Sequence, residues 1–301
     1  MSRKKIPVIL DTDIGMDIDD TWALGLLLKC PELDVKLITT SSDDTTIKAR
    51  LVAKFLEIAG RSDIPIGIGP SENRKKGKLY RWIEDYELSQ YPGSVHENGM
   101  EVLCSTIMDS TGPVTLIAIG PLGTVAGALK MKPNITENAR FIGMQGSIRI
   151  GYQGAASPHP EYNVIRDIQA CRDVFQAPWE KTITPLDTCG NIVLSGDNFE
   201  RIMNCDNTIV KLIKENFEIW AKKKRLTKLI TEDKKTSILF DTVAIYLGFS
   251  EELLNIEDLK IRVTEKGITK ISQKGTKIRC ATSWKDVQAF KDLIVNRLVK
   301  S

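Results

Sequence analysis

Histidine is scarce in this 301-residue chain: only His96 and His159 are present, so chemistry that depends on an imidazole has two places to reside. Six cysteines are scattered with no C-x-x-C pair and no metal-like spacing, which argues against a zinc ribbon and leads us to expect reduced thiols in a cytoplasmic protein. No apolar run approaches the roughly 20 residues that cross a bilayer, and the opening MSRKKIPVIL turns directly into a strand pattern. Neither a membrane span nor a signal peptide is therefore expected. The formal charge of +3 is too small and too evenly spread to point to a nucleic-acid partner. Its one dense basic cluster, Lys222–Arg225, reads as the solvated end or face of a helix. What remains, 42% hydrophobic and 27% charged residues, is the composition of a globular protein with a sizeable core.

Through residue 190, apolar runs alternate with helical patterns. Strands are expected at Ile6–Leu10, Val35–Thr40, Ile64–Gly69, Val114–Gly120, Ala139–Gly146 and Lys181–Asp187. Helices are expected at Asp20–Cys30, Thr46–Ala59, Glu97–Ser110, Pro121–Met131 and Asp167–Ala177, with Pro121 opening its helix. The polar stretch Pro70–His96 reads as a long loop, of the kind that often forms a lid. Beyond residue 195, helices are expected near 197–204, 207–224 and 236–248, and short strands near 259–263, 268–272 and 277–281. A last helix is expected from Trp284, capped by Ser283. The fold class is α/β: a mainly parallel, Rossmann-like sheet with helices on both faces, extended by C-terminal helices and short strands, in a single domain over residues 1–301.

Ligands of such sheets bind beyond the carboxyl ends of the strands, and four polar clusters fall there: Asp11–Asp20, Ser41–Asp44, the turn Ile119-Gly120-Pro121, and Gly146–Asn163. In the first, VILDTDIGMDIDDTWAL places five aspartates within ten residues. Crowded like charges raise one another's pKa unless something positive sits among them. Asp19 and Asp20 alone could be helix-terminal acids favoured by the macrodipole, but that leaves Asp11 and Asp13 unexplained. A calcium-binding EF-hand loop is excluded, because frames opened at Asp11 or Asp13 close on Trp22 or Leu24, where a chelating glutamate is needed. A haloacid-dehalogenase-type phosphatase with Asp11 as nucleophile and an assisting magnesium ion is a rival reading.

The pattern D-T-D-x-G-x-D-x-D-D-x-x-A-L, followed in order by LITTSSDD (Leu37–Asp44), LIAIGPL (Leu116–Leu122), GMQGSIRIGYQGAASPHPEYN (Gly143–Asn163) and SILFDTVAIYL (Ser237–Leu247), resembles the inosine-uridine-preferring nucleoside hydrolase family across nearly the whole chain. The resemblance implies a ribonucleoside hydrolase that uses bound calcium and acts on a nucleoside or riboside, in a homodimer or homotetramer. It implies calcium ligands at Asp13, Asp20, the Ile119 carbonyl and Asp241, and a general base at Asp19. Two extra residues, Asp17 and Ile18, precede the final aspartate pair, so Asp17 stands as the alternative base. For the sugar it implies Asp44, Met144, Glu161 and Asn163, with Ala155 where another asparagine often stands.

One departure concerns the leaving group. Phe240 precedes Asp241 where better-studied members carry a histidine; a phenyl ring can stack on a base but transfers no proton. His96, and less directly His159, are the candidates to replace that acid, and Tyr80, Trp82 and Trp220 are candidates to stack on a base. Poor turnover of inosine and uridine is expected relative to ribosides with stable leaving groups. The non-enzymatic alternative is a metal-dependent ribose-binding protein with little hydrolysis.

Overall fold

The computed structural model describes residues 4–300. Ten strands form one sheet: β1 (Ile6–Thr12), β2 (Leu33–Thr40), β3 (Ile66–Ile68), β4 (Val95–His96), β5 (Val114–Ala118), β6 (Ala139–Met144), β7 (Lys181–Thr184), β8 (Leu254–Val263), β9 (Thr269–Ile271) and β10 (Thr276–Trp284). Their order is β4-β3-β2-β1-β5-β6-β7-β10-β8-β9. Pairing is parallel from β4 through to β10, and antiparallel only between β10 and β8 and between β8 and β9. The chain thus runs outward from β1 in one direction, then crosses back to β5 and runs outward in the other. The crevice between β1 and β5 is the switch point at which such sheets take ligands.

The β1 sequence shows why the sheet is covered on both faces. Val8, Ile9 and Leu10 are all fully buried, yet Val8 and Leu10 join one apolar cluster and Ile9 the other. Successive strand residues point to opposite faces, so a continuous apolar run requires a layer of helices on each side. The helices Asp19–Leu28, Thr45–Ile58, Thr208–Lys224 and Val287–Val299 fill one side. The other is covered by Gly99–Met108, Gly123–Met131 and Ile168–Gln176. Among the described residues no helix is long and apolar enough to cross a membrane, and the six cysteines are unpaired.

Several boundaries differ from expectation, each for a local reason. The helix expected from Pro121 starts at Gly123, because the first turn closes with the Ala126 amide donating to the Leu122 carbonyl. Trp284 belongs to β10 rather than to the last helix: its indole Nε1 donates to the Thr188 carbonyl and its ring stacks on Phe290 at 4.7 Å. Asp286, not Ser283, caps that helix by accepting from the Ala289 amide. The helix expected near 236–248 is confined to Thr242–Leu247, since the amides of Thr236 and Leu239 are spent on the carbonyls of Leu194 and Ile192. That tie delivers Phe240 and Asp241 to the start of the helix. The loop after Pro70 contains two short 3-10 turns, Tyr80–Ile83 and Leu88–Gln90, before the edge strand β4.

Candidate functional site

At the carboxyl end of β1 the chain passes Asp11 and Asp13, turns at Gly15 and enters the helix Asp19–Leu28. Gly15 has φ +108°, a conformation that side chains with a Cβ resist. Its carbonyl accepts from the Leu79 amide, which ties the loop after Pro70 to the turn. Asp19 and Asp20 occupy the first helical turn without capping it; Ile18 is the N-cap and makes no side-chain bond. Asp20 instead accepts from the Thr12 hydroxyl at 2.5 Å. Behind them, Asp11 is fully buried and accepts from the Thr39 hydroxyl at 2.6 Å. Where β5 ends, Gly120 lets the backbone press close: a Cβ there would lie 2.8 Å from the Cβ of Asp13.

These elements, with Asp241 at the start of its helix, enclose a cavity of about 320 Å³. Asp13, Asp19, Asp20, Asp241 and Ile119 form its floor. Carboxylate oxygens of Asp19, Asp20 and Asp241 lie within 4.8 Å of one another, and all four aspartates are under 9% exposed. Burial first, then repulsion from neighbouring aspartates, pushes Asp19, Asp20 and Asp241 well above the usual carboxylate range. Asp13 moves the same way, chiefly through burial and against the pull of Lys48. Lys48 sits beneath the floor, with Nζ donating to the Asp13 carbonyl at 2.8 Å and 3.8 Å from its carboxylate. One lysine cannot balance four acids. The donors are all hard oxygens, with neither thiolate nor imidazole among them, and that set fits a hard divalent cation.

The side of the cavity below β6 is shaped by Asn163. Its amide donates to the carbonyls of Ile119 (3.0 Å) and Met144 (3.1 Å), joining the ends of β5 and β6. Glu161 is buried and accepts from the backbone amides of Gly146, Asn163 and Val164, so its carboxylate orients the short helix Tyr162–Arg166. Burial holds its pKa up at about 7 despite those three donors. The rim is aromatic and cationic: Tyr152, Tyr162, Phe240, Lys78 and Lys224 line it. Tyr152 meets the Phe240 ring edge-on at 6.2 Å. Asp17 faces Lys224 across 3.9 Å, with its side chain half exposed.

The family model for inosine-uridine preferring nucleoside hydrolases matches residues 8–292. The chain belongs to this family. This nucleoside hydrolase is an enzyme that cleaves the N-glycosidic bond of ribonucleosides. It is 25% identical over 280 residues to a probable uridine nucleosidase 2 of Arabidopsis thaliana, covering 89% of this chain and 84% of that one. It is 30% identical over 222 residues to the pyrimidine-specific ribonucleoside hydrolase RihA of Salmonella arizonae, covering 70% of each. Among solved structures, its fold matches a plant nucleoside hydrolase, PpNRh1, with TM-score 0.83 at 20% identity, over 99% of this chain and 100% of that one. It also matches a purine-preferring ribonucleoside hydrolase of Gardnerella vaginalis with TM-score 0.80 at 18% identity, over 97% and 98% of the two chains.

Of the expected site residues, the hydrolase brings Asp13, Asp17, Asp19, Asp20, Ile119, Met144, Glu161, Asn163, Phe240 and Asp241 to one cavity. Asp44 and His96 are not among its lining: Asp44 caps the helix Thr45–Ile58 by accepting from the Ile47 amide, and His96 is exposed on the edge strand β4. His159 lies behind Tyr152, at 6.2 Å between ring centres. Trp82 and Trp220 are buried in packing, Trp220 against Phe217 at 5.9 Å, and Tyr80 lies under Lys76. None of these three lines the cavity. Asp11 is fully buried behind the cavity, its carboxylate accepting from the Thr39 hydroxyl, and with the family match this sets the phosphatase reading aside. Residues that sequence reasoning missed are Lys48, Lys78, Tyr152 and the clasp of Arg166 with buried Asp43 and exposed Glu72 (3.2 and 2.9 Å), while Lys224, expected in a solvated cluster, lines the cavity. Lys48 had a signal, a charged residue inside the apolar face of its helix. The clasp had none.

Proposed function

We propose that the hydrolase works with a calcium ion held by Asp13, Asp20, Asp241 and the Ile119 carbonyl, and that Asp19 is the general base. The observation that carries this is the floor of four buried, mutually repelling carboxylates at the switch point of the sheet. Calcium bound there would gather the ribose secondary hydroxyls and a water molecule and make that water more acidic. Asp19 takes the water's proton as the oxygen approaches the anomeric carbon, which is the base half of an inverting glycosidase. Asp17 is the weaker candidate because its carboxylate faces Lys224 at the rim. Asn163 and Met144 shape the wall against which the sugar rests, Glu161 holds Asn163 in place, and Phe240 presents an apolar edge to the base.

The relatives named for uridine and for pyrimidine ribonucleosides make uridine the first substrate to try. Purified protein is expected to release ribose from uridine and inosine in calcium, and faster from p-nitrophenyl riboside, with all three reactions stopped by a chelator. No ribose from any of the three in calcium would refute the reading. We further propose a single domain in a cytoplasmic homodimer or homotetramer. Exposed Ile150, Tyr162 and Ile165 supply apolar surface for such contacts, and the unpaired thiols suit a reducing compartment. A monomer by light scattering at micromolar concentration would overturn the assembly.

A further inference from the structure

Breaking a glycosidic C–N bond leaves an electron pair on the departing base, and no histidine lines this cavity to meet it. Phe240 and Tyr152 line the cavity with rings that meet edge-on. Two lysines line the same cavity. Lys224 ends the helix Thr208–Lys224, just before Arg225 turns it off in a left-handed conformation (φ 60°). Lys78 arrives on the loop after Pro70, pinned where the Leu79 amide bonds the Gly15 carbonyl. Both segments therefore converge on the same turn, Gly15–Asp17.

A plainer role would be general charge balance. Lys222 and Lys223 do stand in the last helical turn, where cations suit the helix dipole, but only Lys224 of the three lines the cavity. Lys224 has Asp17 as partner across 3.9 Å, which holds its side chain toward the rim. Lys78, half-buried, forms no ion pair among the described residues. It lines the cavity with no carboxylate drawn up against its ammonium.

We propose that Lys78 and Lys224 form the leaving-group subsite, donating hydrogen bonds to the base and stabilising it as it departs as an anion. This rests on the ribohydrolase reading above. In the step, the C1′–N bond breaks with its electron pair going to the base. The water oxygen forms the new bond to C1′, and its proton goes to Asp19. The base leaves as an anion paired with the ammonium groups and takes a proton from solvent on release, as Asp19 returns its own. The two lysines keep their protons throughout. Such a subsite suits bases that spread the charge onto a ring carbonyl beside the glycosidic nitrogen, as uracil does, because that oxygen accepts from an ammonium directly.

The test compares uridine, whose base is a poor leaving group, with p-nitrophenyl riboside, whose phenolate is stable without help. Lys224→Met is expected to lower kcat on uridine about 100-fold, the usual loss on removing one preorganised donor to a developing anion. Its loss on p-nitrophenyl riboside should be no more than a few fold. Lys78→Met should show the same split to a smaller extent, and Lys224→Arg, which keeps a cation and its donors, should recover most of the uridine activity. Equal losses on both substrates would mean that the lysines merely hold the site together, and undiminished uridine turnover in both methionine variants would leave them without a role; either overturns the proposal. Wild-type protein inactive on both substrates would instead refute the ribohydrolase reading, and the proposal with it.

Discussion

Asp20→Asn is expected to abolish calcium binding and to lower turnover on the order of 10³-fold or more, the several kcal/mol that a bound cation supplies at about 1.4 kcal/mol per factor of ten. The amide keeps the shape of the carboxylate, and its oxygen still accepts from the Thr12 hydroxyl, so the loss isolates charge from packing. Titration calorimetry and metal analysis read the binding. Thermal stability adds an independent measure, because a ligand that binds only the folded state raises the midpoint with concentration. Wild-type protein should be stabilised by calcium and the variant should not respond. In a chelator the ranking should reverse: removing one of four crowded charges relieves repulsion, so the variant should unfold no earlier than wild type. Asp13→Ala is expected to lose calcium as well. A variant that binds calcium with undiminished affinity would refute the assigned ligands.

Asp19→Asn carries the second large effect, about 10³-fold in kcat, within the usual range for a general base. Calcium content should remain that of wild type, since the base takes a proton and is not assigned as a ligand. Asp17→Asn is expected to be much milder, because that carboxylate is half exposed and engaged with Lys224. If Asp17→Asn proves the more damaging, the two-residue insertion shifts the register of the motif and Asp17 is the base. If Asp13→Asn keeps its calcium and loses turnover while Asp19→Asn does not, the base is Asp13. Carboxylate oxygens of Asp19 and Asp241 lie within 4.8 Å of each other, so metal analysis on each variant is needed to separate proton transfer from coordination.

The strands that were legible are those whose apolar runs are buried on both faces, such as Val8–Leu10 and Leu116–Ala118. Burial on both sides leaves an unmistakable pattern, and the parallel pairing follows from the helices between. The two-residue strand β4 was not legible: half-buried Val95 and exposed His96 form an edge too short to show a pattern. Trp284 was misplaced because an aromatic after a serine suits a helix start as well as a strand end. Only its packing on Phe290 and its bond to Thr188 decide between them.

The aspartate run, the carbonyl at Ile119 and the wall at Met144–Asn163 follow strand ends, and Asp241 opens a late helix; from the sequence alone the carboxylates could be placed at the carboxyl edge of a parallel sheet. Chain order and spacing were enough, because such sheets leave few places for polar loops to go. The tertiary structure alone decided which polar side chains turn into the cavity. Asp44 is spent on a helix cap, His96 stands on the outer edge, and Trp220 is packed away, while Lys78 and Lys224, some 150 residues apart in a chain of 301, meet at one rim. Long side chains on a loop and at a helix end carry no periodicity that announces their direction. Where they point is set by backbone contacts made across the fold, here by Leu79 on Gly15 and by the left-handed turn at Arg225.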